Sequence, residues 1–178
     1  MPDTTEAPDG ITGALSRAGF DLLGRAELRR AARYHRPTSL LLVEIAAFRR
    51  LVERNGNAAG DAVLQNLVAL IRTQLREHDT VARIGDASFA ALLPETAEAQ
   101  AMFVAERLCH AAADLHVDFQ DRPISFSVSI GVTCCIDRED DLDGILQDAD
   151  VALCVARRGD SGGVALSPTA HMTDDNAA

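Results

Sequence analysis

The chain of 178 residues has the length of one domain, and its 47% apolar residues suffice for a full hydrophobic core. Its formal net charge of −10 argues against broad binding to nucleic acid or anionic lipid, since both require a positive field. No apolar run approaches the ~18 residues that span a bilayer, and the polar first ten residues do not have the pattern of a signal peptide. The sequence therefore predicts a cytoplasmic protein without membrane insertion.

The predicted elements of the first half alternate between helices and strands. The first helix covers residues 20–35 and ends before Pro37, and a continuous apolar run over 39–45 predicts a central strand covered on both faces. A second helix begins within 58–61 and runs towards Glu77, with an apolar stripe on one face. Two short strands follow over 80–84 and 88–93, and residues 85–87 between them give a hairpin signal.

The second half continues this alternation. A third long helix covers 97–115, and alternating apolar residues over 124–133 predict a half-buried strand. The last helix covers 142–158 and ends at Gly159, before a short edge strand near Val164. The order α-β-α-β-β-α-β-α-β predicts an α/β fold of the α+β type, with a central mixed sheet of about five strands flanked by helices. We expect one domain over residues 9–166, between disordered ends at 1–8 and 167–178.

Six short motifs occur in the order and at the spacing of one protein family. They are Asp9-Gly-Ile-Thr-Gly-Ala-Leu-Ser-Arg17, Glu44-Ile-Ala-Ala-Phe48-Arg49, Gly56-Asn-Ala-Ala-Gly60-Asp61, Val81-Ala-Arg-Ile-Gly85-Asp86-Ala87-Ser88-Phe89, Ser127-Val-Ser-Ile-Gly131-Val and Ala149-Asp150-Val-Ala-Leu-Cys-Val-Ala156-Arg157. Each motif alone is weak, but six in order are strong. The chain resembles the GGDEF family of diguanylate cyclases over nearly its whole length, and the resemblance implies the palm-like fold of nucleotidyl cyclases.

The resemblance also implies what the signature hairpin would do. Active members condense two GTP molecules to cyclic di-GMP with a metal pair held by carboxylates. Here the signature is replaced by Gly85-Asp86-Ala87-Ser88-Phe89, so the metal-binding acid in its third position falls on Ala87. The other metal carboxylate falls on Glu44, and the guanine-reading asparagine falls on Val52. The resemblance therefore implies an inactive cyclase with degenerate positions at Glu44, Asp86, Ala87 and Ser88, and with no cofactor.

Other interpretations of these residues stay open. If Asp86 replaces the lost acid, Glu44 and Asp86 would hold Mg²⁺ and the chain would be an active or weakly active cyclase. Arg49, Asp61 and Arg157 fall on phosphate-holding and base-reading positions of the family, so residual GTP binding without turnover is a further alternative. Otherwise Glu44 is a surface carboxylate at a strand end, and Asp61 caps a helix.

A second site is indicated by Arg76-Glu77-His78-Asp79, which stands five residues before the signature, where many family cyclases carry an inhibitory R-x-x-D site. An arginine can donate two hydrogen bonds to guanine O6 and N7, and a carboxylate can accept from the N1–H and N2–H edge. Arg107 falls on the family's secondary arginine, and Arg83 and Arg72 are near enough in sequence to add positive potential.

We therefore expect cyclic di-GMP to bind at Arg76, Asp79, Arg107 and Arg83. The alternative is a salt bridge between Arg76 and Asp79 at a helix C-terminus, with Arg107 on a solvated helix face. The resulting hypothesis is a cyclic di-GMP receptor in bacterial second-messenger signalling, as a homodimer or ligand-bridged dimer, with room for a protein partner. The other alternative is a docking or dimerisation scaffold that binds no nucleotide.

Two further expectations concern the chain ends and the cysteines. Only eight residues precede Asp9, so the sensory or receiver domain that family members usually carry is expected to be missing, cut off or supplied by another protein. The four cysteines each lie in an apolar stretch, and none forms a C-x-x-C pair. We expect reduced thiols in or near the core, and no zinc site.

Overall fold

A computed structural model describes residues 8–138, 141–158 and 162–168 of the chain. Within these ranges the chain forms five helices, α1 (Arg17–Arg33), α2 (Phe48–Asn55), α3 (Asn57–Gln74), α4 (Glu98–Asp114) and α5 (Leu142–Ala156). It also forms seven strands, β1 (Thr38–Ile45), β2 (Thr80–Arg83), β3 (Ser88–Pro94), β4 (His116–Phe119), β5 (Arg122–Ser125), β6 (Val128–Cys135) and β7 (Gly163–Leu166).

Five of these strands form one mixed sheet in the order β2-β3-β1-β6-β7. Neighbouring strands run antiparallel, except β6 and β7, which pair in parallel. β1 lies at the centre and is buried along nearly its whole length, because helices cover both faces of the sheet. This architecture confirms the predicted α/β fold with a mixed sheet of about five strands flanked by helices.

The two faces of the sheet are covered by different helices. On one face Leu41 and Val43 belong to a buried cluster with residues of α3 and α4. On the other face Leu40 and Leu42 pack with residues of α1 and α5. Since successive side chains of a strand point to opposite faces, a sheet covered on both faces requires the uninterrupted apolar run that the sequence has here.

β6 is more buried than the sequence predicts. The alternation over 124–133 predicts a half-buried strand, but both faces of β6 are covered. The backbone of α5 comes so close at Gly131 that an added Cβ would lie 2.1 Å from the Ala149 carbonyl oxygen. The prediction was wrong because a distant helix that approaches a glycine leaves no periodic signal in the strand. Residues 124 and 125 of the predicted strand belong instead to β5, which pairs with β4.

The helix α2 and the strand β4 were not predicted. α2 has no buried residue, and it packs on α3, where the absence of a side chain at Gly60 leaves room for Val52 and Phe48. β4 and β5 are joined by Gln120 and Asp121, whose φ angles of 49° and 59° are those of a two-residue hairpin turn. The turn escaped prediction because it contains neither the glycine nor the asparagine that usually marks this conformation.

The helix ends differ from the predicted ones by a few residues. α1 begins at Arg17, because the Gly19 amide donates to Ser16 Oγ at 3.2 Å and so caps the helix. α3 begins at Asn57, directly after Gly56 with its φ of 89°, and ends at Gln74 rather than near residue 77. Among the described residues, no helix combines the length and apolar composition needed to cross a membrane.

The predicted domain ends are only partly within the described residues. The helix stop at Gly159 lies outside them, whereas β7 confirms the edge strand near Val164. Ser167 was expected in the tail, but it is buried, and its amide donates to the Val132 carbonyl oxygen at 2.7 Å. Ser167 therefore packs against the sheet, and the expected domain boundaries stay predictions.

The four cysteines are free thiols with different surroundings. Cys135 is buried, and Cys109 and Cys134 are half-buried, as expected for thiols in or near the core. Cys154 is exposed, although its neighbour Leu153 is buried. The expectation was wrong for Cys154, because α5 covers the sheet with one side only and Cys154 lies on the other.

Candidate functional site

The end of β1 and the β2–β3 turn border a groove of about 690 Å³, here called the hairpin groove. Strand pairing places Glu44 of β1 opposite Ser88 of β3. The groove is lined, among others, by Glu44, Arg49, Val52, Asp61, Asp86 and Ala87. The fold therefore brings the residues of three separate motifs, far apart in sequence, to one end of the central strand.

The Glu44 carboxylate already has two partners. The Ser88 hydroxyl donates to Glu44 Oε2 at 3.3 Å, and the Arg157 guanidinium forms an ion pair with the same oxygen. Arg157 directly follows α5, so this pair joins the end of β1 to the end of α5 across 113 residues. Glu44 is thus more than a surface carboxylate at a strand end, and the charge of Arg157 is compensated.

Arg49 and Asp61 have fewer contacts in the hairpin groove than Glu44. Arg49 is almost fully exposed and pairs with Glu53 at 3.0 Å. Asp61 is the fifth residue of α3, whose N-cap is Gly56, so the interpretation of Asp61 as a helix cap was wrong. Four carboxylates line the groove, on Glu44, Glu53, Asp61 and Asp86, but within the described residues no three histidine, cysteine, aspartate or glutamate side chains are close enough to hold a metal ion.

The β2–β3 turn is pinned by Arg83. Its guanidinium donates to the Gly85 carbonyl oxygen at 3.2 Å and to the Asp86 carbonyl oxygen at 2.8 Å, and it pairs with Asp9 at 3.3 Å. The Asp86 side chain lies in the turn between the strands and is exposed. Ala87 packs against the core, and its carbonyl oxygen accepts from the Ile45 amide at 3.1 Å.

Asp9 ties the N-terminal loop to this turn. Its carboxylate accepts hydrogen bonds from the Thr12 amide at 2.8 Å and the Thr12 hydroxyl at 2.7 Å, besides the pair with Arg83. Burial opposes the ionisation of Asp9, but the Thr12 hydrogen bonds and the Arg83 guanidinium outweigh it and hold the pKa of Asp9 below its usual value. Asp9 and Arg83 are therefore residues that position the hairpin.

A second groove of about 620 Å³ lies between the segment before β2 and the helix α4, here called the arginine groove. Arg76, Asp79, Gln100, Phe103 and Arg107 line it. α3 ends at Gln74, Leu75 is extended, and residues 76–79 form a turn before β2 begins at Thr80. The structure thus brings together the three residues Arg76, Asp79 and Arg107 that the sequence predicts as one site.

Backbone and side chain close the turn of residues 76–79. The Asp79 amide donates to the Arg76 carbonyl oxygen at 3.1 Å, and the Arg76 amide donates to Asp79 Oδ2 at 2.7 Å. The other carboxylate oxygen, Asp79 Oδ1, is buried and has no hydrogen-bond partner among the described residues. The exposed Arg76 guanidinium makes no ion pair with Asp79, so the predicted alternative of a salt bridge at a helix C-terminus was wrong.

Arg107 forms the opposite wall of the arginine groove. Its Nη2 donates to the carbonyl oxygen of Gln74 at 2.9 Å, which supplies a cation and a donor to the C-terminus of α3. Its Cζ lies 5.6 Å from the centroid of the Phe103 ring, in a cation–π arrangement. Phe103 and Gln100 were not predicted as site residues, and the signal that could have found them is their helical spacing from Arg107.

Arg83 and Arg72 do not belong to the arginine groove. Arg83 lines the hairpin groove, where Asp9 and two backbone carbonyl groups occupy its guanidinium. Arg72 donates to the Gly13 carbonyl oxygen at 2.7 Å. The expected grouping was wrong because both arginines are close to Arg76 in sequence but have fixed partners in the N-terminal loop.

Residues 6–162 match the family model described as "Diguanylate cyclase, GGDEF domain". The chain is 36% identical over 153 residues to diguanylate cyclase TpbB of Pseudomonas aeruginosa, covering 84% of this chain and 35% of TpbB. It is 30% identical over 158 residues to the probable diguanylate cyclase DgcE of Escherichia coli, covering 89% of this chain and 14% of DgcE. The chain therefore spans about a third or less of these relatives' lengths.

Solved structures give the same assignment. The GGDEF domain of FimX from Pseudomonas aeruginosa matches with a TM-score of 0.82 at 25% identity, covering 90% of this chain and 98% of that domain. The GGDEF domain of DgcB from Caulobacter crescentus, solved in complex with c-di-GMP, matches with a TM-score of 0.85 at 20% identity, covering 94% and 98%. This chain belongs to the GGDEF family.

Proposed function

We propose that this chain is a receptor for cyclic di-GMP in bacterial second-messenger signalling, and that it binds the dinucleotide in the arginine groove without making it. The observation that carries the proposal is that Arg76, Asp79 and Arg107 line one cavity and that Asp79 Oδ1 has no hydrogen-bond partner among the described residues. A buried acceptor that lacks a donor costs free energy, so a ligand that supplies the donor is favoured.

The chemistry of guanine fits this arrangement. Guanine presents the O6 and N7 acceptors along one edge, which an arginine fork can bind, and the N1–H and N2–H donors, which a carboxylate oxygen can accept. Arg76 has an exposed guanidinium for the first task, and Asp79 Oδ1 is the acceptor for the second. Arg107 adds positive charge for a phosphate in a protein whose net charge is −10.

The hairpin groove supports the second part of the proposal, that the chain does not synthesise the dinucleotide. Glu44 is engaged by Arg157 and Ser88, and Ala87 offers no side-chain ligand to a hard cation. Val52 stands where the family reads guanine with an asparagine, and its methyl group packs towards Gly60. These residues do not fit a bound metal pair, so the proposal includes no step through one.

Titration calorimetry with cyclic di-GMP tests the receptor function. We expect Arg76→Ala to weaken binding by more than ~1.4 kcal/mol, which is tenfold, because it removes a bidentate contact. The control is Arg122→Ala, since Arg122 is equally charged and exposed but lies on β5, outside the arginine groove. If Arg76→Ala binds like the wild type, the site is elsewhere. If the wild type does not bind, the chain is a docking or dimerisation scaffold.

An active cyclase is the second candidate, and specific observations favour it. The curated relatives are named diguanylate cyclases, and Glu44, Asp61 and Asp86 line one groove. Incubation with GTP and Mg²⁺ or Mn²⁺, followed by chromatography, separates the two candidates, and we expect no product. Product that forms with the wild type and disappears with Glu44→Ala would establish the cyclase. If GTP binds through Arg49, Asp61 and Arg157 without turnover, calorimetry would show heat of binding and chromatography would show no product.

We further propose that the protein acts in the cytoplasm as a homodimer or ligand-bridged dimer and that it docks a protein partner. SiaD of Pseudomonas aeruginosa, to which the chain is 29% identical with a TM-score of 0.80, was solved in complex with its activator SiaC. The match covers 85% of this chain and 58% of SiaD. Affinity capture with and without cyclic di-GMP tests the proposal: a partner retained only with the dinucleotide supports it, and identical captures contradict it.

A further inference from the structure

Phe103 is the phenylalanine that the fold leaves exposed. It is 62% exposed, whereas the other five are buried or half-buried, namely Phe20, Phe48, Phe89, Phe119 and Phe126. A single exposed apolar side chain is common in proteins, so its exposure alone indicates nothing. Its location is informative, because the ring lies in the wall of the arginine groove.

The two walls of the arginine groove offer different chemistry. The turn before β2 presents the polar groups of Arg76 and Asp79. The facing helix α4 presents Gln100, Phe103 and Arg107, which lie three and four residues apart and therefore on one side of the helix. A planar base between these walls would find hydrogen-bonding groups at its edge and an apolar ring at its face.

The ring of Phe103 is also held in place. The Arg107 guanidinium lies over it, with Cζ at 5.6 Å from the centroid. Arg107 is itself fixed by its hydrogen bond to the Gln74 carbonyl oxygen at 2.9 Å. A ring that is oriented before the ligand arrives loses little freedom on binding, which favours its use as a contact surface.

We propose that Phe103 is the stacking platform for a purine base in the arginine groove. The inference rests on the proposed function, because Arg76 and Asp79 supply the hydrogen bonds at the edge of the base, whereas Phe103 binds its face. Stacking on an aromatic ring tolerates any purine, and the edge contacts select guanine. Phe103 therefore contributes affinity for the purine class, and Arg76 and Asp79 contribute the choice of guanine.

Calorimetry with cyclic di-GMP on Phe103→Leu and Phe103→Tyr tests the proposal. Leucine keeps an apolar side chain and a good helix former but removes the ring, so we expect at least about tenfold weaker binding. Tyrosine keeps the ring and should bind within about threefold of the wild type. The matched control is Tyr34→Leu, because Tyr34 is also 62% exposed but lies outside the arginine groove. Thermal unfolding checks that all variants fold.

A spectroscopic measurement separates stacking from a merely structural role. The chain has no tryptophan, so Phe103→Trp introduces a single indole reporter. Stacking of guanine on the indole should quench the indole fluorescence until the site is saturated. The ligand concentration at half-maximal quenching should agree with the affinity that calorimetry gives for the same variant. Asp79→Asn in the same background should shift that midpoint to higher ligand concentration, because the base loses its edge contact.

The outcomes distinguish this inference from the function on which it rests. Wild-type protein that does not bind cyclic di-GMP overturns both. If the wild type binds but Phe103→Leu binds with the same affinity, the stacking role alone is overturned. The same holds if Phe103→Leu and Phe103→Tyr lose equal affinity. Unchanged indole fluorescence at calorimetric saturation overturns it as well.

Discussion

Asp79 shows how one side chain can serve both the fold and a ligand. Its Oδ2 accepts from the Arg76 amide and closes the turn before β2, while its Oδ1 is buried without a partner among the described residues. The first contact positions Arg76, and the second oxygen remains available for a donor. An alanine at this position would lose both roles, whereas asparagine keeps an oxygen that can close the turn.

The cysteines give a prediction at the scale of the residue. Burial raises the pKa of Cys135 to about 12, so only about one molecule in ten thousand carries its thiolate at pH 8. Cys154 is exposed on α5. We expect a thiol reagent at pH 8 to modify Cys154 at least ~100-fold faster than Cys135 in the folded protein, as mass spectrometry of digested samples would measure.

The control for this labelling experiment is Cys154→Ser, which should lose the fastest reacting thiol and keep the others. Unfolding in guanidinium chloride should make the four thiols react at similar rates, since burial no longer protects Cys135. Rapid modification of Cys135 in the folded protein would contradict the placement of β6 beneath α5.

At the scale of the element, the N-terminal loop is fastened to the hairpin by charge. Asp9 accepts from Thr12 and pairs with Arg83, and Arg83 in turn holds the carbonyl groups of Gly85 and Asp86. The loop and the β2–β3 turn are therefore one structural unit, although 74 residues separate Asp9 from Arg83. Loss of the Asp9 charge should loosen both.

We predict that Asp9→Asn lowers the free energy of unfolding by about 1 kcal/mol at neutral pH. Because the folded pKa of Asp9 is held below its usual value of about 3.9, its stabilising contribution is complete above that pH. The contribution disappears as the pH falls through the folded pKa. Urea unfolding of wild type and Asp9→Asn should therefore give a difference at pH 7 that shrinks below about pH 4.

Asp118→Asn is the control for this series. Asp118 is exposed on β4, so its substitution removes the same charge at a position away from the N-terminal loop. Its unfolding free energy should follow that of the wild type at each pH. A difference between wild type and Asp9→Asn that stays constant down to pH 2 would show that the Asp9 charge does not stabilise the loop.

At the scale of the whole molecule, the proposed function requires an acidic protein to bind an anionic ligand. The net charge of −10 repels both the phosphates of cyclic di-GMP and a second copy of the chain, so binding depends on where the arginines are concentrated. The arginine groove offers one pair of Arg76 and Asp79, whereas the dinucleotide has two guanines. A second copy of the chain would supply the matching pair for the second guanine.

We therefore predict that cyclic di-GMP converts the chain from monomer to dimer. Light scattering coupled to size-exclusion chromatography should give the mass of one chain without ligand and of two chains with saturating ligand. Arg76→Ala should remain a monomer at the same ligand concentration. A saturated complex with one chain, or a dimer that forms equally without ligand, would contradict the bridging role.

Much of the fold followed from local patterns. The apolar run of β1 and the amphipathic stripe of α3 reflect which faces of one element are buried, and that information is local. The hairpin signal at residues 85–87 is local as well, because it depends on the turn residues themselves. α2 and the full burial of β6 could not be predicted, because they depend on Gly60 and Gly131 meeting segments elsewhere in the chain. The turn at Gln120 and Asp121 could not be predicted either, because its two positive φ angles occur without the glycine or asparagine that usually marks them.

In the candidate sites, too, some features could be predicted from the sequence and others depend on the tertiary structure. The sequence by itself determined the family and the placement of Arg76, Asp79 and Arg107, because motif spacing along the chain preserves their positions in the common fold. Only the tertiary structure decided that Arg83 turns to Asp9, that Arg157 pairs with Glu44 across 113 residues, and that Phe103 faces the arginine groove. The physical reason is that a side chain's partner depends on its distance in space, which the spacing along one strand or helix does not contain.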